Sequence, residues 1–163
     1  MAEHLLQFCM WIQATPLGRK VSTSPWLFPT IESVHIIGLA LVVGAVLRLD
    51  LRLLGFSRQL SVTSVASSTM PWAWTGVSVA VTTGLLMFAS EAVVCYHNRA
   101  FRAKMLMLLL IALNTAVYEF ITRRNVHAWD VERATPLGAK FAAVVSVTLW
   151  MGVVAAGRWI AYT

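Results

Sequence analysis

Ser24 to Leu54, SPWLFPTIESVHIIGLALVVGAVLRLDLRLL, is the stretch of sequence that decides the fold. Between Trp26 and Leu47 it is apolar except for Thr30, Glu32, Ser33 and His35. A helix that crosses a bilayer needs roughly 20 apolar residues at about 1.5 Å each, so this run is long enough to span a membrane. Ionisable side chains inside such a run are costly and are usually functional. Because Glu32 and His35 are three positions apart, they share one face of the helix.

The composition of the whole chain agrees with a membrane protein. Its 163 residues are 58% hydrophobic and 12% charged, with a mean hydropathy of +0.71. An ordinary soluble domain is about 45–50% apolar and about 25% charged. Only helices or closed barrels satisfy the backbone in lipid, and the apolar runs do not alternate as barrel strands do. We therefore predict an all-α protein, an integral membrane four-helix bundle that forms a single domain over residues 1–163.

The apolar runs place the four spans at about 26–47, 71–94, 103–121 and 139–157. A shorter amphipathic segment at 3–14 is predicted to lie in the membrane interface. Thr15 to Gly18, TPLG, is interpreted as a break after that segment. Pro71 is predicted to open the second span, and Thr135 with Pro136 to cap the fourth. The charges of RLDLRLLG after the first span are interpreted as a solvated or paired helix end at the interface.

Four spans divide the loops between two ends of the bundle. Face A receives the N-terminus, the turn between spans 2 and 3, and the C-terminus, and face B receives the other two loops. Slightly more of the 13 Lys and Arg residues fall at face B, so the positive-inside rule predicts face B cytoplasmic and both termini periplasmic. Cys9 and Cys95 would then share an oxidising compartment, and either a disulfide or two buried thiols is consistent with the sequence.

The net charge of +6 does not indicate a nucleic-acid partner. The basic residues stand at the ends of apolar runs, where they contact lipid headgroups.

Candidate site residues gather near face A. Glu32 and His35 lie in the first span, and His97 lies in the turn after the second. One interpretation is a b-type haem with His35 and His97 as axial ligands. In that site Gly38, Gly76 and Gly84 would make room for the ring, and Arg99 and Arg102 would neutralise the propionates.

Two other interpretations of the same residues stay open. Glu32, His35 and His97 together could hold copper or another transition metal. Alternatively Glu32 accepts a hydrogen bond from His35 in a structural or proton-relay pair that binds no cofactor. The spacing of Gly76, Ala80 and Gly84, one every four residues, is typical of close helix packing and would also suit a flat cofactor.

Three segments carry a resemblance to a known family: the opening stretch extended to SPWLFPTIESVHIIGLALVVGAVLRLDLRLLG, then PWAWTGVSVAVTTGLLMF, and YHNRAFRAKMLMLLLIALN. Together they resemble a family of small bacterial four-span membrane proteins of unknown function. The resemblance implies location in the bacterial inner membrane. It also implies a histidine where Glu119 stands, so this chain departs from a bis-histidine site linking spans 1 and 3. The segment HIIGLALVVGAVLRLDLRLLG is similar as well to b-type cytochrome and copper-resistance membrane proteins.

Two functional hypotheses follow. The chain is either an electron-transfer subunit that binds haem b or another metal centre and exchanges electrons with quinone or a partner protein, or a non-catalytic accessory subunit of a larger membrane complex. Either form could be a homo-oligomer. The first predicts visible absorbance of the purified protein, and the second predicts co-purifying membrane or periplasmic subunits.

Overall fold

The computed structural model describes residues 2–131 and 134–162. Within them six α-helices follow in chain order: α1 (Ala2–Gln13), α2 (Pro16–Thr23), α3 (Leu27–Leu54), α4 (Val62–His97), α5 (Arg99–Val117) and α6 (Leu137–Trp159). A π-helical turn at Tyr118–Thr122 extends α5, and 3-10 turns occupy Arg123–Ala128 and Ile160–Tyr162.

The predicted fold class is confirmed. The described residues contain helices and turns but no strand. By length and composition, four helices can cross a membrane: α3, α4, α5 with the first residues of its π-helical extension, and α6. The protein is therefore an all-α bundle of four potential spans preceded by two short helices, and its apolar outer surface suits contact with lipid.

The four long helices do not form a closed ring of contacts. α3 packs against α4 on one side and α6 on the other, and α6 packs against α5. α4 and α5 are consecutive in the chain but make few contacts with each other. The order across the bundle is thus α4, α3, α6, α5, which leaves a cleft between the two outer helices.

The most extensive helix contact is the one between α3 and α4. A Cβ atom on Gly76 would lie 2.8 Å from the carbonyl oxygen of Gly38 and 2.8 Å from the backbone nitrogen of Val42. A Cβ on Gly38 would lie 3.0 Å from the backbone nitrogen of Ala80. Glycine at 38 and 76 therefore lets the two backbones touch, as small-residue stripes do in membrane helices.

α4 begins at Val62, whereas the sequence predicted a start at Pro71. The extra turns form because the backbone N–H groups at the start of the helix, which have no partner within the helix, find side-chain acceptors. Ser61 accepts a hydrogen bond from the Ser64 N–H at 2.9 Å as an N-cap. The carboxylate of Asp130, in the loop before α6, accepts from the Thr63 N–H at 2.9 Å.

Burial acts to raise the pKa of Asp130, but hydrogen bonds from Thr63, Ser61 and Val62 outweigh it and hold that pKa below its usual value of 3.8. The carboxylate that holds the start of α4 is therefore charged at neutral pH.

Two further helix boundaries differ from the predicted ones. α6 begins at Leu137 with Pro136 as its N-cap residue, so the predicted cap, Thr135, lies one position too early. Its Oγ1 has no hydrogen-bond partner among the described residues. Thr15 to Gly18 ends α1 as predicted, but it also starts α2, because Thr15 accepts a hydrogen bond from the Gly18 N–H at 3.2 Å and proline suits a first helical position.

The N-terminal helices hold a kink in α4. Glu91 has non-helical backbone angles, φ −133° and ψ 31°, which leaves nearby backbone groups without helical partners. The side-chain oxygen of Gln13 accepts a hydrogen bond from the Val93 N–H at 3.1 Å. Gly18 approaches the Ala89 carbonyl so closely that an added Cβ would lie 2.7 Å from it. α1 and α2 thus pack on the face-A end of α4.

Candidate functional site

His35 is held by Thr83 across the α3–α4 contact. Its Nδ1 lies 2.9 Å from Thr83 Oγ1, and that hydroxyl donates to the Val79 carbonyl oxygen at 2.6 Å. Because that hydroxyl donates to Val79, the contact fits a ring tautomer in which Nδ1–H donates to Oγ1. In the neutral ring this leaves Nε2 unprotonated. The Cε1 atom of His35 faces Gly84, whose added Cβ would lie 3.2 Å away.

The structure does not bring the other proposed ligands to His35. Glu32 is exposed and forms no hydrogen bond or ion pair in the described part of the chain, so Thr83 and not Glu32 orients the imidazole. His97 is exposed and stacks edge-on against Tyr96, with 4.9 Å between ring centroids. It follows Thr83 by fourteen positions on the same helix, which corresponds to about 21 Å. His35 and His97 are therefore too far apart to be the two axial ligands of one haem or to share a metal ion.

The two arginines predicted to neutralise haem propionates lie at the turn between α4 and α5. Arg102 donates to the Tyr96 carbonyl oxygen through Nη2 at 2.8 Å and Nε at 3.2 Å, which ties the α4–α5 turn together. Arg99 is exposed. Among the described residues, no three His, Cys, Asp or Glu side chains are grouped closely enough to hold a metal ion.

Cys9 and Cys95 are both buried and both free thiols. The disulfide that was one reading of the sequence is not formed.

A cavity of about 230 Å³ lies in the half of the bundle nearer face B. All four long helices line it, and the lining is mostly apolar. Towards the middle of the bundle it is bounded by Val42, Val77, Ile111 and Trp150. Towards face B the polar members of the lining are Asp50, Thr69, Asn114, Thr115, Tyr118, Glu119 and Ser146.

The cavity is open on the side where α4 and α5 separate. Trp74 of α4 and Thr115 of α5 both line the cavity, and both are exposed on the outer surface of the bundle. In a bilayer this opening would face the lipid. A lipid-soluble molecule could therefore enter from the side without passing through either aqueous loop region.

Asp50 is the most unusual residue of the lining. Its side chain is 5% exposed, and its Oδ2 has no hydrogen-bond partner among the described residues. Ser146 lies within hydrogen-bonding reach of the carboxyl group, but no Lys or Arg of the described chain forms an ion pair with it. A buried carboxyl group without a compensating partner is unfavourable, and groups of this kind mark functional sites in membrane proteins.

Tyr118 is a second buried lining residue with an unpartnered side-chain oxygen. It is 7% exposed, and its Oη also lacks a partner within the described residues. Glu119, the next residue, is different because Arg123 donates to both of its carboxylate oxygens at 2.7 and 2.9 Å. Asp50 and Tyr118 are thus the two cavity residues with a fully buried side-chain oxygen that lacks a partner within the described residues.

The prediction that the charges of RLDLRLLG form a solvated or paired helix end is wrong for Asp50 and Arg52, whereas Arg48 is exposed as predicted. Arg52 is only 2% exposed. Its Nε donates to the Leu60 carbonyl oxygen at 2.6 Å, and its Nη2 donates to the Asp130 carbonyl oxygen at 2.8 Å. Arg52 therefore ties together the loops after α3 and before α6, while Asp50 faces the bundle interior.

A sequence signal for Asp50 exists. It stands eight positions after Val42 and three before Leu53, both of which are buried, and residues at such spacings share the inner side of a helix. The nearby Arg48 and Arg52 obscure this signal because alternating charges also suit an exposed helix end. Tyr118 carries no comparable signal, since tyrosine near a helix end is typical of the membrane interface.

Comparison with known proteins identifies the family. A family model described as Family of unknown function (DUF6644) matches residues 8–163. No curated protein and no solved structure matches the chain. The chain belongs to the DUF6644 family, which agrees with the resemblance seen in the sequence.

Proposed function

We propose that this member of the DUF6644 family is a membrane subunit that binds a lipid-soluble ring compound of the quinone type in the cavity between α4 and α5. The observation that carries the proposal is the pairing of an apolar, laterally open cavity with two buried oxygen atoms that lack partners, Asp50 Oδ2 and Tyr118 Oη.

The size of the cavity suits one ring. An apolar protein cavity of about 150 Å³ holds benzene, so 230 Å³ accommodates a ring with small substituents. Its hydrophobic tail would leave between α4 and α5 into the lipid. A whole phospholipid or a porphyrin would not fit.

The hydrogen-bonding groups of Asp50 and Tyr118 restrict the chemical class of the ligand further. A phenolic hydroxyl both donates and accepts, and a carboxyl oxygen accepts or, when protonated, donates. A quinone could therefore accept hydrogen bonds at its carbonyl oxygens from the Tyr118 hydroxyl and from a protonated Asp50, whereas a quinol could donate to an ionised Asp50 and bond with Tyr118. Quinones and quinols have these groups on a small apolar ring, and they dissolve in the membrane.

The test is a binding titration of the purified protein in detergent with a short-chain benzoquinone. Trp74 and Trp150 line the cavity, so quenching of tryptophan fluorescence reports occupancy. A benzoquinone only accepts, so its bond to Asp50 is one from the protonated carboxyl; such a neutral hydrogen bond contributes about 0.5–1.5 kcal/mol, and we expect Asp50→Leu to weaken binding about two- to tenfold. Tyr118→Phe removes only a neutral hydroxyl and is expected to weaken it by about tenfold at most.

A matched control and a stability measurement make the test specific. Glu32→Leu removes a carboxylate from the same helix outside the cavity, so it should leave binding unchanged. Without ligand, Asp50→Leu should raise the free energy of unfolding by about 1 kcal/mol, because it removes an uncompensated buried polar group. Unchanged quinone binding in Asp50→Leu, or a marked loss of stability, would show that Asp50 is structural.

Electron transfer through haem b stays a prediction from the sequence. The orientation of His35 by Thr83, which leaves Nε2 unprotonated in the neutral ring, suits a ligating histidine, but neither of the two cavities described in the chain is lined by His35. A reduced-minus-oxidised spectrum of the purified protein decides it independently of the quinone titration.

A further inference from the structure

A second cavity lies on the opposite side of α3, at face B. It has a volume of about 410 Å³ and runs along the outer surface of α3 and the start of α4, under the loop that joins them. We call it the cationic groove and define it by Gly44, Leu47, Arg48, Leu51, Arg52 and Phe56, which are among its lining residues. It shares Arg52 with the loop contacts described above but shares no lining residue with the proposed quinone cavity.

The charge of the groove is not balanced by its lining. Arg48 and Arg52 both line it, and no carboxylate does. Arg52 is 2% exposed, and its Nη1 has no hydrogen-bond partner in the described part of the chain. The Asp130 carboxylate interacts electrostatically with Arg52, but it accepts hydrogen bonds from the Thr63 backbone and hydroxyl and does not line the groove, where Arg48 has no such counter-charge among the described lining residues. The groove therefore presents positive charge that an anion could neutralise.

The polarity of the groove changes along α3 in the order that a lipid requires. Gly44, Leu47 and Leu51 form an apolar side that begins about one turn deeper in the bundle than Arg48. A Cβ on Gly44 would meet no atom within 4 Å, so there is open space beside the helix at that depth. The cationic end lies at face B, where headgroups are found, and the apolar end points towards the acyl region.

We infer that the cationic groove binds one anionic phospholipid, with its phosphate at Arg48 and Arg52 and an acyl chain beside Gly44 and Leu47. Basic pockets between membrane helices recognise phosphate-bearing lipid headgroups by this combination of charge and apolar surface. A phosphate contact through Arg52 Nη1 would also give that atom a partner, while Nε and Nη2 keep their loop carbonyl oxygens.

The experiment measures thermal unfolding of the purified full chain in mixed micelles that contain either dioleoyl-phosphatidylglycerol or dioleoyl-phosphatidylcholine. A ligand that binds only the folded protein raises its melting temperature, so the anionic lipid should raise it more than the zwitterionic one. Removing one Arg contact near the surface is expected to weaken the apparent affinity about fivefold. Arg48→Gln should show this loss, since Arg48 is exposed and its removal leaves the loop contacts of Arg52 intact.

A second variant tests the acyl half of the groove without changing charge. Gly44→Leu should fill the open space and also weaken binding of the anionic lipid. The matched control is Arg124→Gln, which removes an exposed arginine near the face-B ends of α5 and α6, outside the groove.

Three outcomes would overturn the inference: equal stabilisation by the two lipids, an effect of Arg124→Gln as large as that of Arg48→Gln, or full reproduction of the effect by inorganic phosphate alone. The last would show a soluble anion site in place of a lipid site. None of these outcomes bears on quinone binding, which the groove does not share.

Discussion

Gly76→Leu is expected to separate α3 from α4 and to destabilise the protein by about 3 kcal/mol or more, the upper range for overpacking. Even the first carbon of a side chain at this position would lie 2.8 Å from the Gly38 carbonyl oxygen and from the Val42 nitrogen. Both are backbone atoms, so no rotamer change can relieve the clash. Because α3–α4 is the most extensive helix contact in the bundle, the loss should appear as a large fall in melting temperature in detergent.

Gly44→Leu is the matched control for this prediction. It makes the same change in the middle of α3, yet a Cβ there meets no atom within 4 Å. The replacement of an exposed helical glycine by a better helix former is expected to be neutral or to stabilise by up to about 1 kcal/mol. Equal melting temperatures for Gly76→Leu and Gly44→Leu, measured without anionic lipid, would show that the two helices do not meet at Gly76.

Arg52→Met is expected to cost about 2–5 kcal/mol, because each of two carbonyl oxygens that loses its donor costs about 1–3 kcal/mol. The variant keeps an apolar side chain of similar length but leaves the Leu60 and Asp130 carbonyl oxygens without their donors. Since these carbonyls belong to two different loops, face B should loosen before the rest of the bundle. Hydrogen exchange of the loop at 55–61, together with the melting temperature, measures this effect.

Arg48→Met is the control for Arg52, one helical turn earlier and exposed. Its removal should change stability by less than about 1 kcal/mol, as is usual for exposed charges. Comparable losses in the two variants would mean that Arg52 contributes only surface charge, and that its burial and loop contacts do not stabilise the fold.

The sequence determined the helical class, the membrane-spanning runs and the residues that stand out chemically. These depend on local properties: hydropathy over about 20 residues fixes a span, and the absence of backbone partners in lipid forces each span to be a helix. The small-residue stripe at Gly76 likewise predicted close packing, and the structure supplies Gly38 as its neighbour. His35 was recognisable for the same reason, as an imidazole within an apolar run.

Only the tertiary structure decided which polar groups are satisfied and which are not. His35 bonds to Thr83, 48 positions away, and Arg52 bonds to Asp130, 78 positions away. The early start of α4 likewise depends on Asp130, which no local pattern connects with Thr63. From the sequence, Asp50 and Arg52 could equally have been exposed or buried. The energy of a charge depends on the atoms that surround it in the fold and not on its neighbours in the chain. For that reason the sequence pointed to His35 and His97, whereas the packing of α3, α4, α5 and α6 selects Asp50 and Tyr118.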